Sequence, residues 1–285
     1  MSHNCNDVAT PDFALPGHSV LALQGIDAVA FAQGQFMNDV AALADGQWQW
    51  NGWLTPKGRV IALFALLRLD AQTLWLLLPD FAATEFSLLL QRYVFRSKIV
   101  LKSTDTTVSA NFYAPLQAKG AAFAVVEEDR FELDMGGEGG PRRLLIGTAP
   151  AGEDRDAGVR WMQSDLAHGL PRLLDSQREQ WTPQQLSLDR LRAFSVKKGC
   201  YPGQEIVART HFLGQVKRGL SLYEAASNIA AGDDIVANAD RGIGKVICTA
   251  GSLALAVVPL DAPAEGLNSA GIPLKTMPLL GGLGR

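Results

Sequence analysis

Hydrophobic positions follow two patterns along the chain, short apolar or alternating runs typical of strands and longer segments with helical spacing. Together they predict a protein of mixed α and β structure. The runs of strand length, in chain order, are VLALQG, WQWNGWL, RVIALFALLRL, TLWLLLP, KIVLKST and TVSANF. Only DAQ separates the third run from the fourth, so these two are expected to form a hairpin. Helical spacing occurs in IDAVAFAQGQFMNDVAAL, where Gly34 weakens the pattern, and in DFAATEFSLLLQRYVF.

The second half of the chain changes from mixed structure to strands alone. MGGEGGPRR predicts a flexible loop, and the strand-like RRLLIGT follows it. DRDAGVRWMQSDLAHGL predicts a helix, and TPQQLSLDRLRAF predicts another because proline is well tolerated in a first helical turn. From about Phe212 onward, short strands alternate with Gly and Asp turns, which is typical of a small β-barrel or sandwich. The last residues, GGLGR, are expected to be loose.

Length and composition indicate a globular protein with more than one lobe. The chain has 285 residues, of which 47% are hydrophobic and 19% charged, and its net charge is −3. This charge provides no general attraction to nucleic acid or to acidic membranes. The N-terminus lacks the pattern of a secretory signal, and the longest apolar run is about ten residues, well below the roughly 20 of a membrane helix. We therefore expect a cytoplasmic protein, and a monomer because no periodic exposed apolar face is visible.

The spacing of the cysteines and histidines does not indicate a metal-binding motif. The three cysteines, Cys5, Cys200 and Cys248, lie far apart, with no C-x-x-C pair, and the four histidines form no H-x-x-x-H pair. A disulfide framework is not supported, and no stably bound metal or iron–sulfur cluster is expected. Phosphate-binding loops and G-x-S-x-G elbows are also absent from the sequence.

The segment SVKKGCYPGQEIVART, residues 195–210, contains the candidate chemistry. Cys200 lies in a locally basic stretch, and nearby cations favour the thiolate form of a cysteine. Gly199, Gly203 and Pro202 predict a tight loop, while Gln204 and Glu205 could hydrogen-bond the edge of a heterocycle. The alternative is that Gly-Cys-Tyr packs a turn and the lysines face water. The residue types alone leave both interpretations open.

KKGCYPGQEIVAR resembles the K-G-C-Y-x-G-Q-E signature of the YgfZ family of folate-binding proteins, which are relatives of the glycine-cleavage T-protein. Further segments resemble that family in the same order, from about residue 20 to residue 260. They are LQGIDAVAFAQGQFMNDV, LTPKGRVIALFAL, RYVFRSKIVL, TPQQLSLDRL and GIGKVI. Within these segments, two positions depart from the family pattern, with Met37 in place of threonine and Ser187 in place of asparagine.

The resemblance implies an α+β, T-protein-like fold in which two α/β lobes and a C-terminal β-barrel surround a central cavity. Residues 1–211 would form the folate-binding region and residues 212–285 the barrel. The implied ligand is tetrahydrofolate or a derivative. The implied function is that of an accessory protein, rather than an enzyme, which acts with iron–sulfur enzymes or cluster carriers in cluster assembly or repair and in tRNA modification.

The resemblance also implies site residues. Cys200 would act transiently as a reactive thiol. The residues that would shape and charge its loop are Lys198, Gly199, Tyr201, Gly203, Gln204, Glu205 and Arg209. Trp161 would line the folate site, with core packing as the alternative, and His168 replaces a small residue of the turn that follows it. His18 falls near the family's second aromatic residue, and Gln35 and Asp39 belong to the Q-G-Q segment assigned to folate.

Two sequence differences from the T-protein argue against aminomethyl transfer by this chain. Ala62 and Leu63 stand where that reaction needs a carboxylate, and the G-Y-T-G-E segment is absent. A folate-dependent one-carbon transferase with an unknown acceptor remains an alternative. A weak tRNA-binding module that uses the basic residues between Lys197 and Arg218 is a second alternative. Because the chain is acidic overall, direct tRNA binding is not expected.

Overall fold

A computed structural model describes residues 12–127, 130–147, 151–214, 216–237 and 241–285, without the side chain of residue 241. The strands are β1 (Phe13–Ala14), β2 (Ser19–Gln24), β3 (Gln47–Leu54), β4 (Val60–Asp70), β5 (Thr73–Leu78), β6 (Val100–Ser103), β7 (Thr107–Asn111), β8 (Ala124–Glu127), β9 (Arg130–Asp134), β10 (Arg143–Gly147), β11 (Arg218–Ala225), β12 (Asp234–Ala237), β13 (Arg241–Ala250), β14 (Leu253–Pro259), β15 (Leu267–Ser269) and β16 (Ile272–Met277). The α-helices are α1 (Ala28–Gln35), α2 (Ala83–Gln91), α3 (Arg155–Ala167) and α4 (Gln204–Phe212).

The first lobe is an antiparallel sheet in the order β3-β4-β5-β2-β6. Strand β4, which lies between β3 and β5, is almost entirely apolar because both of its faces are covered. Phe64 and Leu66 pack in one cluster with α1 and α2, whereas the alternate residues Ala65 and Leu67 belong to the large central cluster. The predicted hairpin is confirmed, since β4 pairs with β5 in antiparallel register.

The second lobe is a five-stranded sheet in the order β1-β7-β10-β9-β8. Helix α3 packs near it, and the Asp154 side chain accepts a hydrogen bond from the backbone N–H of Ala157 at 2.9 Å. This contact satisfies one of the free donors of the first turn. The helix ends before Gly169, whose φ of +71° favours glycine.

The C-terminal unit is a closed barrel, β11-β14-β13-β12-β15-β16. Pairing of β11 with β16 closes the ring of described barrel strands. Leu220, Ile247 and Leu255 of the barrel join the central cluster, which also contains residues of both sheets. The expected α+β architecture of two lobes and a barrel is therefore confirmed. The division at residues 211 and 212 stays a prediction.

Two element predictions were wrong because tertiary contacts override local sequence. TPQQLSLDRLRAF forms successive turns rather than an α-helix, with positive φ at Ser187 and Arg192. Its leucines Leu186, Leu188 and Leu191 are buried in the central cluster, so the chain bends to bury several faces. IDAVAFAQGQFMNDVAAL is helical only as far as Gln35.

The tail GGLGR, residues 281–285, was expected to be loose but is packed into the molecule. Leu283 is 2% exposed, and its carbonyl accepts a hydrogen bond from Trp50 Nε1 at 2.8 Å. The Arg285 guanidinium donates to the carbonyls of Asp134 and Gly136, both at 2.9 Å. The glycine loop, expected to be flexible, is held by the same segment, because Gly281 N–H donates to the Glu138 carboxylate at 2.7 Å. Among the described residues, every helix is too short or too polar to span a lipid bilayer.

Candidate functional site

Three sequence segments that are distant along the chain meet around Cys200. They are residues 33–39, Thr55–Gly58 and residues 195–204, which together are called the motif platform below. The N–H of Ser195 donates to the carbonyl of Met37 at 2.9 Å. Gly203, with φ of +79°, packs directly on the backbone of the Thr55–Gly58 turn, where a Cβ would come within 2.6 Å of the Thr55 carbonyl oxygen. Glycine at 203 is therefore required by both conformation and space.

Lys198 joins the Cys200 loop to the end of α1. The residue is 5% exposed, and Nζ donates to the carbonyls of Gln33 (2.5 Å), Phe36 (2.6 Å) and Asn38 (3.0 Å). Burial lowers the pKa of Lys198 to about 8, and the charge of Asp39 opposes this shift. The three carbonyls use all three donors of the ammonium, so Lys198 fixes the loop instead of serving as a free cation at the surface.

Tyr201 and Gln204 form hydrogen bonds within the Cys200 loop. Tyr201 is buried, its hydroxyl donates to the carbonyl of Ser195 at 3.2 Å, and the Lys198 ammonium lies 4.9 Å from the centre of its ring. Burial raises the pKa of Tyr201 to about 12. Gln204 Nε2 donates to the Lys198 carbonyl at 3.1 Å, which connects α4 to the loop. These contacts give the loop a fixed shape.

Cys200 itself is exposed on this loop, as is Gly199 beside it. Glu205 and Arg209 are also exposed, in the first and last turns of α4. Cys248, the other cysteine that the structure describes, is buried, and burial raises its pKa to about 12. A buried thiol with a raised pKa is inert, so Cys200 is the accessible thiol of the described chain.

A cavity of 880 Å³ opens elsewhere, between the approach to β2, the turn after β5, and α3. Its lining includes the apolar residues Leu15, Phe81, Val159 and Met162. The polar groups His18, Asp80 and Arg172 line it as well. An apolar cavity with a few convergent polar groups is the usual form of a small-molecule site.

The polar groups of the cavity belong to a buried ion network. Arg172 donates to Asp80 at 3.1 Å and to Asp165 at 2.9 Å, and Asp165 also accepts from Arg142 at 2.7 Å. Burial raises the pKa of Asp80, whereas burial and the charge of Arg172 hold the pKa of His18 well below its usual value. Within the described chain, His18 Nδ1 and Arg172 Nε have no hydrogen-bond partner. Both atoms are buried beside the cavity.

The predicted folate residues lie in two different places. His18 lines the cavity, but Trp161 does not, because its indole is buried against Arg142 (4.6 Å from the ring centre) and Phe112 (5.9 Å). Its neighbours on α3, Gly158, Val159 and Met162, face the cavity instead. The core-packing interpretation of Trp161 therefore describes this structure, and stacking of Trp161 on a folate stays a prediction.

Gln35 and Asp39 lie on the motif platform rather than in the cavity lining. The Asp39 carboxylate accepts hydrogen bonds from Gln33 Nε2 at 3.1 Å and from Ala42 N–H at 3.2 Å, which shapes the turn after α1. Gln35 Oε1 is buried and has no partner within the described part of the chain. Asp80 and Arg172 were not predicted, because a single acid and a single arginine in the sequence carry no sign that they will pair across the fold.

No group of three or more metal-binding side chains occurs in the described ranges.

The fold is shared with the glycine-cleavage T-protein. The crystal structure of glycine cleavage system aminomethyltransferase T from Bartonella henselae superimposes with a TM-score of 0.68 and 15% sequence identity, covering 94% of this chain and 84% of that one. At this identity the similarity shows the fold alone. A comparison with models of known protein families gave no match.

Sequence relatives identify the branch of this fold. The chain is 32% identical over 242 residues to the tRNA-modifying protein YgfZ of Klebsiella pneumoniae, covering 76% of this chain and 73% of the relative. It is 27% identical over 214 residues to an uncharacterized protein of Haemophilus influenzae, covering 74% and 72%. The chain therefore belongs to the YgfZ family, and the resemblance noted in the sequence is confirmed.

Proposed function

We propose that this protein is a folate-binding accessory protein that supports the assembly or repair of iron–sulfur enzymes, including radical enzymes that thiolate tRNA. The observation that carries the proposal is the exposed Cys200 thiol on a loop held by Lys198, Tyr201 and Gln204. The Klebsiella relative is named a tRNA-modifying protein, which supports the last part of the proposal.

A single thiol limits what this site does with a cluster. Stable iron–sulfur clusters usually take about four protein ligands, and Cys248 is buried away from solvent. Cys200 therefore acts on a cluster whose remaining ligands belong to a partner, and the contact is brief. The fixed loop helps because an already ordered thiol loses little conformational entropy when the partner binds.

Replacing Cys200 in cells tests the proposal. In a strain that lacks this gene, Cys200→Ala is expected to leave iron–sulfur enzyme activity and the content of thiolated tRNA at the level of the empty strain. Cys200→Ser, which keeps the size but not the thiol, is expected to behave like Cys200→Ala. Both readouts are compared at equal amounts of folded protein.

Lys197→Ala is the matched control, because Lys197 is an exposed neighbour in the same loop. It is expected to restore both readouts. Full restoration by Cys200→Ala would remove the thiol from the proposal.

The folate part of the proposal rests on the cavity. Its volume of 880 Å³ lies within the range of roughly 300–1,000 Å³ that small-molecule sites occupy. A pterin ring carries N–H donors that a carboxylate such as Asp80 accepts, and the acidic tail of a folate pairs with Arg172 or Arg155. The buried polar atoms His18 Nδ1 and Arg172 Nε, which lack a partner beside the cavity, support the presence of a polar ligand there. A bound tetrahydrofolate would supply a one-carbon carrier.

Substituting Gly158 with a larger residue is expected to fill part of the cavity. A Cβ added at Gly158 meets no atom within 4 Å, and this residue lines the cavity on α3. Gly158→Leu is therefore expected to keep the fold and to weaken tetrahydrofolate binding at least tenfold in calorimetric titration. Gly34→Leu is the matched control, because Gly34 is also helical and open but lies on the motif platform.

The two variants also separate the two predicted sites. Loss of binding in Gly34→Leu with normal binding in Gly158→Leu would place the folate beside Gln35 and Asp39 and would contradict the cavity assignment. We do not extend the proposal to aminomethyl transfer, because Ala62 and Leu63 are buried apolar residues of β4 where the T-protein reaction needs a carboxylate.

A further inference from the structure

The loop that follows α2 exposes aromatic and basic side chains together. It comprises Arg92–Lys98, RYVFRSK, and is called the aromatic-basic loop below. Phe95 is 85% exposed and Tyr93 45% exposed. Between residues 86 and 104 the chain has four cations and no carboxylate, although its net charge is −3. These cations are Arg92, Arg96, Lys98 and Lys102.

Backbone contacts fix this loop. The N–H of Lys98 donates to the Asp27 carboxylate at 2.7 Å. Gly25, with φ of +142°, lies so close to the Lys98 carbonyl that a Cβ on it would overlap that oxygen. The loop begins with hydrogen bonds from Tyr93 N–H to the Leu90 carbonyl (3.0 Å) and from Val94 N–H to the Gln91 carbonyl (3.1 Å). The exposed rings are therefore presented on an ordered support.

The arrangement of rings and charges indicates the partner. Arg96 lies 5.3 Å from the centre of the Phe95 ring, so a cation accompanies the most exposed aromatic side chain. Single-stranded nucleic acid is bound by the same combination, in which bases stack on aromatic rings and cations neutralise phosphates. An acidic peptide would pair with the cations, but it has no regular series of flat rings that could stack on the aromatic side chains.

We propose that the aromatic-basic loop binds a single-stranded segment of RNA, with a base stacked on Phe95 and phosphates paired with Arg92, Arg96 and Lys98. This surface differs from the basic segment around Cys200, and the inference does not depend on folate or on iron–sulfur chemistry.

A chain of contacts connects the loop to the motif platform. The Tyr93 ring packs edge-on against Trp53 at 5.6 Å, and Trp53 pairs with Phe36 in an isolated β-bridge. The carbonyl of Phe36 accepts a hydrogen bond from Lys198. RNA held by the aromatic-basic loop is thus bound on the lobe that also supports the Cys200 loop.

Fluorescence anisotropy with a labelled single-stranded oligoribonucleotide tests this inference. The full-length protein is titrated at several salt concentrations together with Phe95→Ala, Arg96→Gln and Phe212→Ala. Phe212 is the matched control, because it is 65% exposed beside His211 on α4, outside the loop. Polyglutamate and phosphatidylserine vesicles are added as competitors.

Stacking and charge pairing give different signatures in this experiment. Phe95→Ala is expected to weaken binding about tenfold without changing the salt dependence. Arg96→Gln is expected to reduce the slope of log K against log salt by about 0.7. Phe212→Ala is expected to bind RNA as tightly as the unchanged protein does.

The proposal is overturned if RNA does not bind, if Phe95→Ala has no effect on binding, or if Phe212→Ala weakens binding as much as Phe95→Ala. Complete displacement of the RNA by polyglutamate or by vesicles at equal charge would likewise overturn it and assign the loop to an acidic protein or a membrane.

Discussion

The ammonium of Lys198 lies among carbonyl groups that belong to another part of the chain, at the end of α1. Residues 33 to 38 direct three carbonyls at one point, where the partial negative charge of a helix C-terminus also favours a cation. The sequence motif contains two adjacent lysines, and the structure gives them opposite environments, since Lys197 is exposed and Lys198 is buried.

Lys198→Met keeps the length of the side chain and removes its charge and donors. We expect the free energy of unfolding to fall by about 2–3 kcal/mol, because buried carbonyls lose their partner. Urea denaturation followed by circular dichroism measures this change. Lys197→Met is expected to change it by no more than about 0.5 kcal/mol, as is usual for exposed positions.

A second measurement separates the role of Lys198 in the loop from its effect on stability. In a Cys5→Ser background, the rate at which iodoacetamide alkylates Cys200 is expected to change more in Lys198→Met than in Lys197→Met, because only Lys198 anchors the loop. Equal stability of the two methionine variants would mean that the three hydrogen bonds of Lys198 contribute nothing to folding.

At the scale of elements, strands were predicted well where burial on both faces leaves a continuous apolar run, as in β4 and β5. The predictions were wrong where distant contacts decide the conformation. Residues 182–194 have a reasonable helix start, yet the turns at Ser187 and Arg192 place leucines in a core formed by other elements. The glycines of the last segment gave no sign that Trp50 and Asp134 would hold it.

The motif platform could be predicted in part from the sequence. Its three segments are recognisable as family motifs, but their contact, such as the packing of Gly203 on the turn at Thr55–Gly58, follows only from the fold. The ion network of Asp80, Asp165 and Arg172 was not predictable, because the partners are up to 92 residues apart and have no distinctive neighbours. Isolated charged residues are ordinary in a sequence and become informative only when they are buried together.

At the scale of the whole molecule, two buried histidines make the stability of the protein depend on pH. His168 Nδ1 donates to the Ser164 carbonyl at 2.7 Å, and its Nε2 accepts from Gly139 N–H at 3.2 Å, so the neutral ring joins α3 to the glycine loop. His18 lines the cavity beside Arg172. Burial is the main cause that lowers the pKa of both residues, and the charge of Arg172 adds to the effect at His18.

Acidification is therefore expected to destabilise the protein below about pH 6.5. Both histidines have a folded-state pKa below the ordinary value of 6.5, so under mildly acidic conditions the unfolded chain binds protons that the folded chain does not. Their stabilising contribution is complete above pH 6.5 and is lost as the pH falls through that value toward the folded-state pKa. Each proton contributes at most about 1.4 kcal/mol per pH unit, so the two histidines are expected to lower the free energy of unfolding between pH 7.5 and 5.5 by no more than about 3 kcal/mol. Urea denaturation at both pH values measures this difference.

The exposed His211 provides the control for this prediction. His211→Gln is expected to keep the full difference in free energy of unfolding, whereas the double variant His18→Gln, His168→Gln is expected to lose most of it. An unchanged difference in the double variant would show that other groups cause the acid sensitivity.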